Sequence, residues 1–87
     1  MTYSLVYSRQ AKKDAQKIKQ AGLKKQAEKL RQILEKDPYK NPPRYEKLVG
    51  DLSGAYSRRI NIQHRLVYEI VESESVVKVL RMWTHYE

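Results

Sequence analysis

Glu46, a dense set of arginines (Arg58, Arg59, Arg65 and Arg81) and a late His85-Tyr86 pair following an apolar run are the residues of this chain best suited to chemistry. Together they match the needs of one reaction, cleavage of an RNA phosphodiester by its own 2′-hydroxyl. A base must take the 2′-proton, cations must hold the phosphate as negative charge develops on it, and an acid must protonate the departing 5′-oxygen. Glu46, the arginines and His85 fill these three roles with no cofactor.

Each side chain also has a structural reading. Glu46 can be an ordinary strand-edge carboxylate paired with Arg44 or Lys47. Arg65 shares parity with Val67 and Val71, so it can be a rim arginine laid over an apolar patch. Neighbours in a strand face opposite ways, so at most one of Arg58 and Arg59 reaches a common phosphate, and Arg58 fits a structural or interface role better. By the same rule Lys47 points away from Glu46. His64 stands at a strand start, where it fits a turn hydrogen bond better than catalysis. His85 is close to a terminus, and a role for it requires the last strand to be held in the sheet, which Val77, Val79, Leu80 and Trp83 favour. Trp83 and Tyr56 have rings that could stack on bases, with core or dimer packing the better reading of the tryptophan.

The elements that position these residues must come from one small domain, 1–87, since a chain of 87 residues builds a single modest core. Cysteine is absent, which excludes disulfides and thiolate metal sites, and two histidines cannot build a histidine-rich one. No apolar stretch approaches the roughly 20 residues needed to span a membrane, and the start of the chain lacks the pattern of a secretory signal. The expectation is a soluble cytoplasmic protein. Its net charge of +8 is uneven: residues 9–31 carry nine Lys or Arg against Asp14 and Glu28. Such a field draws polyanions, nucleic acid foremost, while a solvated helix face explains the lysines equally well.

Tyr3 to Tyr7 alternates in the manner of a first strand. Ser8 suits a helix N-cap. Ala11, Ala15 and Ile18 form the apolar stripe of that helix, and Gly22 suits the left-handed residue that ends it. A second stripe runs through Leu23, Ala27, Leu30 and Leu34 with Ile33 beside it, stopped at Asp37-Pro38. After a proline-containing connector at 38–45 the period changes to two, predicting strands near 46–49, 55–60, 64–71 and 76–84. Turns are predicted at Asp51-Leu52-Ser53-Gly54, Asn61-Ile62-Gln63 and Glu72-Ser73-Glu74-Ser75. The fold class is α+β, β-α-α-β-β-β(-β), with two antiparallel helices on one face of a small antiparallel sheet and the other face left for a ligand.

Over residues 46–86 the sequence resembles the YoeB/Txe toxins, small members of the RelE superfamily. The resemblance rests on Leu52-Ser53-Gly54, Tyr56-Ser57-Arg58-Arg59-Ile60, His64-Arg65-Leu66-Val67-Tyr68 and Thr84-His85-Tyr86. Across the helices only layout and length agree. The resemblance implies a RelE-like fold and an endoribonuclease that cleaves mRNA in the ribosomal 30S A site and so inhibits translation. It implies Glu46 as general base, Arg65 as phosphate ligand, His85 as general acid and Tyr86 as the tyrosine beside it that orients substrate or shares the acid chemistry. Arg59 would flank the site, with Arg58, Arg81 and Lys47 as the further cations available to RNA. Implied partners are a YefM/Phd-like antitoxin, operator DNA through the antitoxin complex only, and a homodimer or a heterotrimer or heterotetramer with antitoxin.

Two positions depart from the family pattern. Val49 stands where a lysine is common, three residues after the glutamate. Glu87 follows the tyrosine on which many members end, and its charge beside His85 would favour the protonated imidazole. The alternative is a non-nucleolytic nucleic-acid-binding or gyrase-directed toxin on the same fold, which has no need of an acid/base pair around an arginine cluster.

Overall fold

The structure, a computed structural model, describes residues 2–41, 44–50 and 53–82. Strand β1 spans Ser4–Tyr7, helix α1 Arg9–Gln20 and helix α2 Lys24–Lys36; strands β2 Tyr45–Lys47, β3 Tyr56–Arg59, β4 Arg65–Val71 and β5 Val76–Arg81 follow. The elements expected from periodicity are all present, with β2 beginning one residue earlier than predicted. The prediction that the last strand continues to residue 84 falls, for 83 and 84, outside the described residues, as do Asp51-Leu52 of the first predicted turn and the connector prolines Pro42 and Pro43.

Local chemistry accounts for the helix ends. Ser8 caps α1, its Oγ accepting from Ala11 N at 3.0 Å. Gly22, at φ 76°, turns the chain out of α1 while Leu23 N reaches back to Ile18 O at 3.0 Å. A left-handed residue costs glycine little because it has no Cβ. Helix α2 stops at Asp37, whose backbone is extended ahead of Pro38, and whose Oδ1 accepts from Tyr39 N at 3.0 Å.

The five strands make one sheet in the order β1-β5-β4-β3-β2. It is antiparallel except at the edge, where β1 runs parallel to β5. Both helices cover the same face: Ile18, Leu30 and Leu34 pack with Leu66, Tyr68, Val77 and Val79 in one buried core. Among the described residues no helix is long and apolar enough to cross a membrane.

The central ladder between β4 and β5 is irregular. Tyr68 pairs with Val79, yet its neighbour Val67 pairs with Arg81, so the pairing carries a bulge there. An extra residue in one strand reverses the alternation beyond it. Val77 and Val79 face the core, and so does Met82, whose parity is opposite to theirs.

Candidate active site

The helix-free face is built by register. Glu46 on β2 lies opposite Ser57 on β3, Ser57 opposite Val67 on β4, and Val67 opposite Arg81 on β5. These four form one row across the sheet, and the adjacent row pairs Arg59 with Arg65. Directly opposed residues sit with Cβ atoms about 4.5–5.5 Å apart, so the carboxylate and the arginines cluster by topology alone. The row's middle is closed, with Ser57 2% and Val67 0% exposed, although neither belongs to the helix-side core.

Over this floor the Arg65 guanidinium crosses β3 to reach Glu46, Nη1 to Oε2 at 4.0 Å. The small Ser57 side chain leaves the space for that crossing. Glu46 keeps 46% of its side chain exposed and Arg65 28%. Among the described residues the Glu46 carboxylate accepts no hydrogen bond, so its lone pairs face solvent beside a cation. Arg59 donates from Nη1 to Ile62 O at 3.0 Å, which ties its fork to the β3–β4 turn. Arg44, Glu46, Ser57 and Arg59 line an open cleft of about 190 Å³. A basic cleft with a carboxylate on its wall suits a phosphodiester whose neighbouring hydroxyl must lose a proton.

The β3–β4 turn is set by Asn61, whose Oδ1 accepts from Gln63 N at 2.9 Å and His64 N at 2.7 Å. The His64 ring lies 2.9 Å from the same oxygen through Nδ1 and is 7% exposed. The turn role expected for His64 is what the structure shows.

The structure keeps Arg58 and Lys47 out of the cluster. Lys47 pairs with Tyr56 and therefore shares the helix-side face. Arg58 is 1% exposed on that face, donating from Nε to Tyr68 Oη at 3.0 Å and from Nη2 to Pro38 O at 2.8 Å, with its guanidinium 4.9 Å from the centre of the Tyr45 ring. Arg58 thus ties β3, β4, the end of α2 and the strand bearing Glu46 into one knot, and the structural reading of it holds. Burial raises the Tyr68 phenol above its ordinary pKa, while the adjacent Arg58 pulls the other way. Arg81 shares the Glu46 row in register, but its Nε lies 3.9 Å from Asp14 Oδ2 of α1. His85 and Tyr86 lie outside the described residues. Sequence reasoning misses Arg44 and Ser57 as lining residues; counting register outward from Glu46 finds both.

Residues 7–86 match the family described as YoeB-like toxin of bacterial type II toxin–antitoxin system. Over 53 residues the chain is 43% identical to toxin YoeB of Streptomyces coelicolor, a stretch covering 61% of each chain. It is 42% identical over 53 residues to toxin RelK of Mycobacterium tuberculosis, covering 61% of this chain and 60% of that one. The matched stretch thus spans less than two thirds of these relatives' own length. Among solved structures, the YoeB/ParE toxin from Agrobacterium tumefaciens superposes with a TM-score of 0.84 at 27% identity, over 95% of this chain and 99% of that one. YoeB in the heterotetrameric YoeB–YefM complex from Staphylococcus aureus does so with a TM-score of 0.76 at 31% identity, over 99% and 100%. A site assembled from β2, β3 and β4, on a fold shared almost end to end with these structures and a sequence matched over residues 7–86, places the chain in the family of YoeB-like toxins of bacterial type II toxin–antitoxin systems.

Proposed function

We propose that this toxin is an endoribonuclease that cleaves mRNA by general acid/base catalysis, in the ribosomal A site, and so stops translation. The observation that supports this most is the Glu46–Arg65 pair at 4.0 Å on the helix-free face. Glu46 takes the proton of the 2′-hydroxyl. The 2′-oxygen attacks phosphorus, and the negative charge on the non-bridging oxygens falls to Arg65, with Arg59 one strand away. His85 protonates the 5′-oxygen as its bond to phosphorus breaks, with Tyr86 beside it orienting substrate. The products are a 5′-hydroxyl end and a 2′,3′-cyclic phosphate or its 3′-phosphate hydrolysis product. An acidic YefM-like antitoxin neutralises the toxin, as YefM accompanies YoeB in the S. aureus complex, and the chain reaches operator DNA only within that complex. The chain assembles as a toxin pair, as in the S. aureus YoeB dimer, or as a heterotrimer or heterotetramer with the antitoxin that neutralises it.

The test is to induce the chain in cells and map mRNA 5′ ends. New 5′-hydroxyl ends inside reading frames, absent for Glu46→Gln, are the expected result. Growth arrest with intact mRNA would overturn the nuclease and leave the non-nucleolytic toxin.

A further inference from the structure

The β3–β4 turn carries a side chain that the proposed reaction does not use, and its bonds lead to the candidate site. Asn61 Oδ1 is shared by three donors: the backbone N–H groups of Gln63 at 2.9 Å and His64 at 2.7 Å, and the His64 ring through Nδ1 at 2.9 Å. An amide oxygen only accepts, so Nδ1 carries the ring hydrogen. Ile60 N bonds His64 O at 2.7 Å and closes the turn at its base. In the usual planar peptide the N–H and C=O point opposite ways, and the one joining Ile62 to Gln63 uses both. Its N–H goes to Asn61 Oδ1, and its C=O accepts from Arg59 Nη1 at 3.0 Å. One rigid unit therefore runs from the Asn61 side chain to the Arg59 guanidinium. Arg59 is exposed and lines the cleft beside Arg44, Glu46 and Ser57. Among the described residues the bond to Ile62 O is the only hydrogen bond its side chain makes.

We infer that Asn61 is a positioning residue for RNA binding: through the Ile62–Gln63 peptide it holds the Arg59 guanidinium in the cleft, oriented for an RNA phosphate. The inference rests on the reading of the chain as an RNA-cleaving toxin. An exposed arginine left loose gives up its rotamer freedom each time it binds, and a tether removes that cost before the encounter. The tether spends one N–H of Nη1 and leaves the Nε–Nη2 edge for two phosphate oxygens. Arg59 stands one strand from Arg65, the cation of the reacting phosphate in the proposed reaction, so it suits a neighbouring phosphate of the RNA. A contact made equally in ground and transition states lowers KM and leaves kcat unchanged.

Asn61→Ala should raise KM on ribosomes programmed with mRNA about three- to tenfold, with kcat within about twofold. Asn61→Ser, whose hydroxyl accepts the same bonds more weakly, should show a smaller rise and serves if the alanine variant does not fold. In an Arg59→Ala background neither change should raise KM further, because the group being positioned is gone. NMR relaxation of the Arg59 Nε–H group gives a readout independent of cleavage: its order parameter should fall by about a third or more in Asn61→Ala, with the backbone of β3 and β4 unchanged. An unchanged order parameter, a fall in kcat with KM unaltered, or an equal rise in KM in the Arg59→Ala background would overturn the inference. Should the unaltered chain cleave nothing, equilibrium binding of a single-stranded RNA oligonucleotide decides. Binding weakened about three- to tenfold by Asn61→Ala would leave the positioning role standing while the nuclease assignment falls, and binding indifferent to Asn61→Ala would remove both.

Discussion

In the proposed reaction Glu46 and Arg65 divide one task between an acceptor and a cation, and their substitutions should separate accordingly. Glu46→Gln keeps shape and removes basicity, so cleavage should fall by ~10²–10⁴-fold with the fold intact, measured as single-turnover cleavage on programmed ribosomes. Arg65→Lys keeps the charge and loses the planar fork that matches two phosphate oxygens. It should lower cleavage far more than Arg58→Lys, since Arg58 lies buried on the opposite face. Equal losses at the two arginines would mean that the face assignment is wrong. The tyrosines give a second residue-scale expectation. Hydrogen bonding to Glu72 pushes the Tyr3 phenol up to about 12, and burial raises Tyr7 and Tyr68. Below pH 10 these phenols are protonated in both folded and unfolded chains. Above it the unfolded phenols ionise first, so stability should be held up to about pH 10 and decline as pH rises toward 12. Melting temperatures across that range should show this decline, and Tyr3→Phe should make it shallower.

Arg58 matters most at the scale of elements, because its bonds to Tyr68 and Pro38 and its place over Tyr45 join three strands to the end of α2. Truncating a buried, hydrogen-bonded charge leaves its partners unsatisfied. Arg58→Ala should therefore cost about 3–5 kcal/mol, read by urea denaturation, a large part of the roughly 5–15 kcal/mol that holds a domain of this kind together. A loss below about 1 kcal/mol would show that the knot is not structural. Period-two alternation made the face of Arg58 legible from sequence, as the i, i+4, i+7 stripe did for Ala11, Ala15 and Ile18. Alternation failed where the ladder slips: carried on from Val77 and Val79 it sends Arg81 to the core, while the bulge pairs Arg81 with Val67 and gives the core position to Met82. A bulge depends on long-range pairing, which no local pattern records. The parallel docking of β1 on β5 is of the same kind, since Ser4–Tyr7 and Val76–Val79 are separated by most of the chain. Asp14 reads in sequence as one more charge on a basic helix, because its partner Met82 lies 68 residues away.

At the scale of the molecule, charge and site are arranged on different elements. The net charge of +8 is concentrated on the helices, while the candidate catalytic groups Glu46 and Arg65 lie on the helix-free face of the sheet. On the helices ten Lys or Arg face three acids, Asp14, Glu28 and Glu35, of which Glu28 and Glu35 both pair with Arg31 at 3.0 Å. An acidic antitoxin would meet this field before any contact, so electrostatics should govern its association more than its residence. Raising ionic strength from about 0.01 M to about 0.15 M shortens the screening length from ~30 Å to ~8 Å. The association rate of the proposed acidic antitoxin should then fall by about tenfold or more, with dissociation changing far less. Deleting residues 85–87 should abolish cleavage and weaken that binding much less, because the basic surface at 9–31 and 56–65 is untouched. Stopped-flow binding of full-length and truncated chains across a salt series measures both effects. An association rate indifferent to salt, or binding lost on truncation, would show that the inhibitor does not use the basic surface.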